Sequence, residues 1–102
     1  MRKEKIMELK DTIEMMQSED YKERFKAEYL QTKIRYEKLK KFNTKIEAAN
    51  CTMHTIHIGG VAKRVEMPNH DCPSELLRDQ QRVMGEYLHL LELRAEIEGI
   101  TL

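Results

Sequence analysis

The sequence is poor in the residues from which large cores are built. Among 102 residues there is no Trp, the aromatic residues are two Phe and four Tyr, and 35% of the side chains are charged. A chain this short buries only a modest fraction of its surface. We therefore expect one domain, residues 1–102, that gains further burial by self-association.

Long apolar runs are also absent. No run approaches the 18 residues that indicate a transmembrane helix, and the N-terminus MRKEKIMELK has no apolar core of a signal peptide. These absences predict a cytoplasmic protein with no membrane partner. Its two cysteines are then expected to be reduced.

The net charge is zero, but the charged residues are unevenly distributed. Residues 21–50 contain nine basic and four acidic side chains, whereas residues 71–102 contain three and seven. A neutral protein is a poor ligand for a DNA or RNA duplex, because duplex affinity depends on many phosphate contacts. The asymmetry leaves two interpretations open. Either the basic segment packs antiparallel on the acidic one, or part of KIRYEKLKK faces a small anion.

The apolar periodicity predicts a mainly α fold. A short N-terminal helix covers residues 3–16, and a long helix covers 19–48, with Ser18 as its N-cap. A third helix covers 73–98 and ends at Gly99. The second and third helices are expected to form an antiparallel helical hairpin.

The third helix carries two adjacent apolar stripes. One consists of Leu77, Met84 and Leu91. The other consists of Leu76, Val83, Leu90 and Ile97. Since one antiparallel partner cannot cover both stripes, the pattern predicts a symmetric homo-oligomer.

The stretch CTMHTIHIGGVAKRVEM differs from its helical flanks because apolar and polar residues alternate along it. Gly59-Gly60 suits a two-residue turn with positive φ, so a two-stranded β-ribbon is expected over residues 52–67, inserted in the loop of the helical hairpin. A lone ribbon is marginal in water. Its apolar face should therefore lie on the helices or on another subunit, while its polar face, with His57 and Arg64, stays available. Arg64 is for this reason a candidate ligand-binding residue.

Cysteines and histidines in this region suggest a zinc site: Cys51, His54, His57, His70 and Cys72. However, His54 and His57 are three residues apart on a predicted strand and point to opposite faces, and there is no Cys-x-x-Cys pair. A catalytic Cys–His pair lacks any mark of an oxyanion hole or a base-orienting partner. We therefore expect no metal site, no cofactor and no enzymatic activity.

Three further side chains are candidates for binding a ligand. Tyr21 lies in the first turn of the long helix, where an aromatic ring beside free backbone N–H groups suits a base and its phosphate. A hydrophobic staple is the alternative. Arg78 and Arg82 lie one turn apart near the start of the third helix. They either form salt bridges with neighbouring acids or gather around a symmetry axis to hold an anion.

Two segments, DYKERFKAEYLQTKIRYEKLKKF and ELLRDQQRVMGEYLHLLELRAEIEGI, resemble the helical-hairpin domain of phage anti-CBASS and anti-Thoeris signal sponges. They are also similar to uncharacterised small proteins of Bacteroidetes-type phages. The resemblance covers roughly residues 19–98 and consists mostly of hydrophobic spacing. It implies a non-enzymatic homo-oligomer, often a hexamer, in the host bacterial cytoplasm. Such a protein binds cyclic oligonucleotide or cyclic ADP-ribose second messengers and starves the immune effectors of the host.

The resemblance also implies site residues. In the dinucleotide-binding branch an aromatic residue and a basic residue of one helix hold the ligand between protomers, and Tyr21 and Arg35 match these two. Arg78 and Arg82 match the arginines that line a trinucleotide pocket at a three-fold axis. The predicted ribbon is similar to the branch that contains strands and binds cyclic ADP-ribose isomers. The alternative function is a structural or adaptor coiled-coil oligomer with no small ligand.

Overall fold

A computed structural model of the protein describes residues 7–53 and 64–102. A 3₁₀ turn, Leu9–Thr12, leads into the short helix α1, Ile13–Met16. Two long helices follow, α2 at Tyr21–Thr52 and α3 at Ser74–Glu98. Hydrogen bonds join Tyr21 to Glu98 and Asn43 to Gln81, so α2 and α3 run antiparallel. The predicted mainly helical fold and its helical hairpin are confirmed.

Within the described part of the predicted N-terminal helix, residues 3–16, helical structure begins at Leu9. Residues 1–6 lie outside the described part of the chain, and α1 itself has four residues. The preceding turn begins with a capping box, in which the Glu8 backbone N–H donates to Asp11 Oδ2 at 2.9 Å. Thr12 is fully buried and its hydroxyl accepts from Gln31 Nε2 at 2.9 Å, which fastens this segment to α2.

The long helix begins and ends later than predicted. Its N-cap is Asp20 rather than Ser18, because Asp20 Oδ1 accepts from the Lys22 N–H at 3.0 Å. The Ser18 hydroxyl instead accepts from the Asp20 N–H at 3.1 Å. At its other end α2 continues to Thr52, whose hydroxyl donates to a carbonyl of the preceding turn.

The predicted β-ribbon, residues 52–67, is wrong at both of its described ends. Thr52 is the last residue of α2, and residues 64–67 form no strand. The Val65 N–H donates to Thr52 Oγ1 at 3.0 Å, so the backbone here bonds to the end of a helix and not to a strand. The residues between, 54–63, with the predicted Gly59-Gly60 turn and His57, lie outside the described ranges.

The core lies between α2 and α3 near the open end of the hairpin. It consists of Phe25, Tyr29, Leu88, Leu91, Ala95 and Ile100. Leu91, from the first predicted stripe of α3, is only 1% exposed. Gly99 ends α3 in the left-handed conformation, with φ of 70°, as expected. The chain immediately turns back, which allows Ile100 to enter the core.

The second predicted stripe of α3 faces away from α2. All four of its side chains are exposed, with Leu90 at 56% and Ile97 at 84%. The chain is also extended: its Cα radius of gyration is 18.5 Å, whereas about 13 Å is typical of a compact domain of this length. A single copy therefore leaves much apolar surface uncovered.

Tyr29 joins the core to a carboxylate, and it should make the stability of the fold vary with pH in the alkaline range. Its hydroxyl donates to Glu92 Oε2 at 2.7 Å, and burial, assisted by Glu92, raises its pKa from 10.0 to about 12. Because the folded-state pKa is the higher one, this stabilisation is complete below pH 10 and is lost as the pH rises to about 12. Tyr29→Phe should reduce the free energy of unfolding at pH 8 by about 1–2 kcal/mol.

Urea denaturation of both proteins from pH 8 to 12 checks this expectation. The stability difference between wild type and Tyr29→Phe should shrink above pH 10. A difference that stays constant to pH 12 would contradict the proposed titration.

Candidate functional site

A groove of about 450 Å³ lies between α2 and α3, toward the end of the hairpin where the loop joins them. Its volume falls within the roughly 300–1,000 Å³ of typical small-molecule sites. The hairpin creates the groove because α2 and α3 carry small or polar side chains here instead of the large apolar ones of the core. The lining is Tyr36, Lys40, Asn43, Thr44 and Glu47 from α2, and Arg78, Gln81, Arg82 and Gly85 from α3.

The groove has an excess of positive charge. Lys40, Arg78 and Arg82 line it, and Glu47 is the acidic residue of the lining. These four side chains carry a formal net charge of +2, which would balance a ligand with two phosphodiester groups or one pyrophosphate group. The groove therefore favours a small anion.

The two arginines differ in how they are held. Arg82 Nη1 lies 3.0 Å from Glu86 Oε1, and Nη2 lies 4.0 Å from an Asp79 carboxylate oxygen. Both are exposed pairs, which contribute about 0–1 kcal/mol, so an anion in the groove can compete for Arg82. Arg78 makes no ion pair with the described residues. The salt-bridge interpretation thus holds for Arg82, whereas Arg78 is available to a ligand.

Asn43 contributes a buried acceptor beside these cations. Its Nδ2 donates to the Leu77 carbonyl at 3.0 Å and to Gln81 Oε1 at 2.9 Å. A carbonyl can only accept, so these bonds fix the orientation of the amide. Asn43 is 7% exposed, and its Oδ1 has no hydrogen-bond partner among the described residues. An unsatisfied buried acceptor costs about 1–3 kcal/mol. Because this oxygen is buried, a ligand donor reaches it only if neighbouring side chains move.

Tyr36 supplies an aromatic wall next to the cations. A Cβ placed on Gly85 would lie 3.2 Å from Tyr36 Cε1, so the absence of a side chain at Gly85 lets the ring approach the backbone of α3. Both residues line the groove. An aromatic ring beside arginines and an amide is suited to binding a nucleotide, whose base can stack on the ring.

Tyr21, the first sequence candidate, lies at the opposite end of the hairpin. Its hydroxyl donates to Glu98 Oε1 at 2.9 Å and accepts from Arg94 Nη2 at 2.6 Å. The hydrogen bond to Glu98 is the main cause of its raised pKa. The Tyr21 ring meets the Phe25 ring edge-on, with 6.1 Å between centroids, and is 43% exposed. Tyr21 therefore fastens the start of α2 to the end of α3.

The other sequence candidates are spread over the molecule. Arg35 is exposed on α2 and does not line the groove. It lies fourteen residues from Tyr21, about 21 Å along the helix, so one protomer does not bring these two side chains together. Arg64 follows the undescribed part of the loop, and its Nη2 donates to the Met53 carbonyl at 2.6 Å. Arg78 and Arg82 are the only pair of these candidates that the described structure brings into one cavity.

Three residues of the suggested zinc site, Cys51, His70 and Cys72, lie in the described structure, and they do not form a metal-binding cluster there. Cys51 and Cys72 are exposed free thiols, and His70 Nδ1 lies 2.8 Å from the Pro68 carbonyl. Residues 7–53 and 64–102 contain no group of three or more His, Cys, Asp and Glu that could hold a metal ion. His54 and His57 lie outside these ranges.

Three groove residues were not recognised from the sequence as site residues. Lys40 and Tyr36 lie in KIRYEKLKK, the segment that one interpretation of the charge asymmetry turned toward a small anion, but neither was singled out as a site residue. Asn43 interrupts an apolar track in which Leu39 and Ile46 are its neighbours, and an amide in a core position is a signal that could have found it. Gly85 is a second such signal, since a glycine inside a helical pattern often marks a place where another part of the chain approaches the helix backbone closely.

The fold and groove define a helical-hairpin protein suited to binding a small anion. The family model Sequestin matches the chain over residues 19–54 and 62–97, and the chain belongs to this family. The predicted relation to phage signal sponges is thereby confirmed. The family name denotes sequestration, which is a binding function rather than catalysis.

No curated protein and no solved structure matches the chain. Neither α2 nor α3, the long helices of the described part, contains a stretch apolar enough to cross a membrane.

Proposed function

We propose that this protein is a phage-encoded sponge that binds and sequesters a cyclic nucleotide-type immune messenger in the groove between α2 and α3. The observation that carries the proposal is that Lys40, Arg78 and Arg82 line one groove together with Tyr36 and Asn43. Cyclic di- and trinucleotides and cyclic ADP-ribose isomers share the matching chemistry. Each has at least two phosphate charges, ribose hydroxyl or base donors, and a base that can stack.

Five residues of the groove would have distinct parts in binding. Arg78 and Arg82 would hold phosphate oxygens through paired N–H donors, and Lys40 would act as a point charge. Tyr36 would stack on a base, and Asn43 Oδ1 would accept from a ligand hydroxyl or amino group once neighbouring side chains move to expose it. No bond of the ligand has to break. Stoichiometric binding in the host bacterial cytoplasm would withdraw the messenger from CBASS or Thoeris effectors and so block the anti-phage response.

We further propose that the protein acts as a homo-oligomer, with a hexamer favoured by its resemblance to signal sponges. In such an assembly Tyr21 of one protomer and Arg35 of another would form a second type of site. This requires two copies because of their separation along α2. The exposed part of the Tyr21 ring supports a stacking role. Arg64 is retained as a ligand contact near the loop end of the hairpin.

The test is a thermal-shift and calorimetric screen with cyclic dinucleotides, cyclic trinucleotides and cyclic ADP-ribose isomers. At ligand concentrations well above the dissociation constant, binding should raise Tm by several degrees. The bound ligand should be recovered intact after the protein is denatured. Recovery of a cleaved ligand would identify an enzyme instead. No heat and no thermal shift across the panel would favour the adaptor alternative.

A further inference from the structure

The outer side of α2, facing away from α3, carries an apolar trough of about 740 Å³. Its floor consists of Met7, Leu30 and Ile34. Its rim consists mostly of lysines: Lys33, Lys38, Lys40, Lys41 and Lys45. The aliphatic stems of lysine extend the apolar surface, while the ammonium groups remain in water. The trough is therefore apolar at its base and positive at its edges.

The exposed stripe of α3 is a second apolar surface. Leu76, Val83, Leu90 and Ile97 repeat every seven residues on the side of α3 that faces away from α2. Asp79 and Glu86 lie three or four positions from members of this stripe, and such spacing places them beside it. Both also pair with Arg82, and Arg94 lies at the same spacing near the end of α3. The stripe is therefore apolar along its centre and has charged side chains of both signs along its edge.

The net charges of the two whole helices, α2 and α3, are of opposite sign. The α2 segment contains nine basic and four acidic residues, and α3 contains three basic and six acidic ones. Within one copy the trough and the stripe cannot meet, because α2 and α3 already contact each other through their other faces. The trough and the stripe can cover each other only if they belong to different copies.

We propose that the α3 stripe of one copy packs into the α2 trough of the next, so that identical subunits associate head to tail. Such a heterologous interface uses two different surfaces of each subunit, and it closes into a ring when the rotation between neighbours permits. This interface specifies how the proposed homo-oligomer would assemble. It therefore rests on the proposal, made above, that the protein acts as a homo-oligomer. Lys40 and Thr44 line both the trough and the ligand groove, so each neighbour would adjoin a binding site.

Two blocked variants test this arrangement by complementation. Val83→Glu with Leu90→Glu blocks the stripe but leaves the trough intact, and Ile34→Glu with Lys41→Glu blocks the trough but leaves the stripe intact. Each variant alone should have the monomer mass of 12.2 kDa by light scattering. An equimolar mixture should form a species of twice that mass, because one intact trough meets one intact stripe.

Several outcomes would overturn the head-to-tail interface. A wild-type protein that is itself monomeric would do so. A trough-blocked variant that remains assembled, with no dimer in the mixture, would indicate that α3 pairs with α3 instead. Arg24→Glu, at an exposed position of α2 outside the trough lining, is the control and should keep the wild-type mass.

Circular dichroism of each variant confirms the helical fold. If the double stripe variant does not fold, Ile97→Glu replaces it, since Ile97 is almost fully exposed. All masses are measured without ligand. A failure to bind any nucleotide therefore leaves the assembly result intact, and a failure to assemble leaves the groove to be tested by calorimetry.

Discussion

Replacement of Arg78 and Arg82 together by alanine is expected to lower the affinity for the cyclic ligand at least about a hundredfold. Hydrogen bonds to charged groups contribute about 1.5–3 kcal/mol each, and every 1.4 kcal/mol is a factor of ten in affinity. Both side chains are exposed, and the ion pairs of Arg82 are surface pairs of small energy. The fold should therefore survive the double substitution, and calorimetry should show that binding is lost.

Two controls separate the groove from the second proposed site. Arg24→Ala removes a positive charge from an exposed position of α2 that lies outside the groove lining, and it should leave groove affinity unchanged. Tyr21→Ala should also spare the groove, whereas it should weaken any site between protomers by about 1–3 kcal/mol. If the double arginine variant binds as tightly as wild type, the groove is not the binding site.

Substitution of the neighbouring leucines Leu90 and Leu91 should lower stability in two different ways. Leu91→Ala is expected to lower the free energy of unfolding by about 3 kcal/mol at every protein concentration, because it empties a packed position in a small core. Leu90→Ala removes an exposed side chain from the stripe. It should lower stability only at concentrations where copies associate, since the lost contact lies between copies.

Urea denaturation over a range of protein concentrations distinguishes the two effects. At low protein concentration, Leu90→Ala should keep the helical content of the wild type. Leu91→Ala should lose its helical content at a lower urea concentration than the wild type does. A loss in Leu90→Ala that does not depend on concentration would show that the stripe is covered within one chain.

The helical part of the fold was predictable because local signals and tertiary packing agree. The seven-residue repeats in α3 define both of its stripes, and Gly99 marks the end of the helix. The β-ribbon failed at its described ends for a contrasting reason. Alternation along residues 52–67 satisfied the pattern of a strand, but Val65 finds its hydrogen-bond partner at the end of α2. Periodicity describes which side chains share a face, and it does not specify where a backbone N–H will donate.

The candidate site was predictable only in part. Arg78 and Arg82 were identified by charge and by their spacing of one turn. Their partners across the groove were not, because Asn43 lies 35 residues before Arg78 in the chain, and no local pattern connects two such positions. Tyr21 shows the converse case. Its place at the start of α2 suggested a stacking role, whereas the antiparallel register directs its hydroxyl to Arg94 and Glu98.

The sequence by itself determined the helices, the two stripes of α3 and the separation of charge between basic and acidic segments, because these depend on neighbours within a few turns. The tertiary structure decided which charges and polar atoms meet. The register of α2 against α3 places Lys40 and Asn43 beside Arg78, and it leaves the Asn43 acceptor without a partner among the described residues. Packing also decided which surfaces remain uncovered, since α3 can turn only one side toward α2. The physical reason is that hydrogen bonding and burial depend on distances between residues far apart in the chain, and only the folded hairpin fixes those distances.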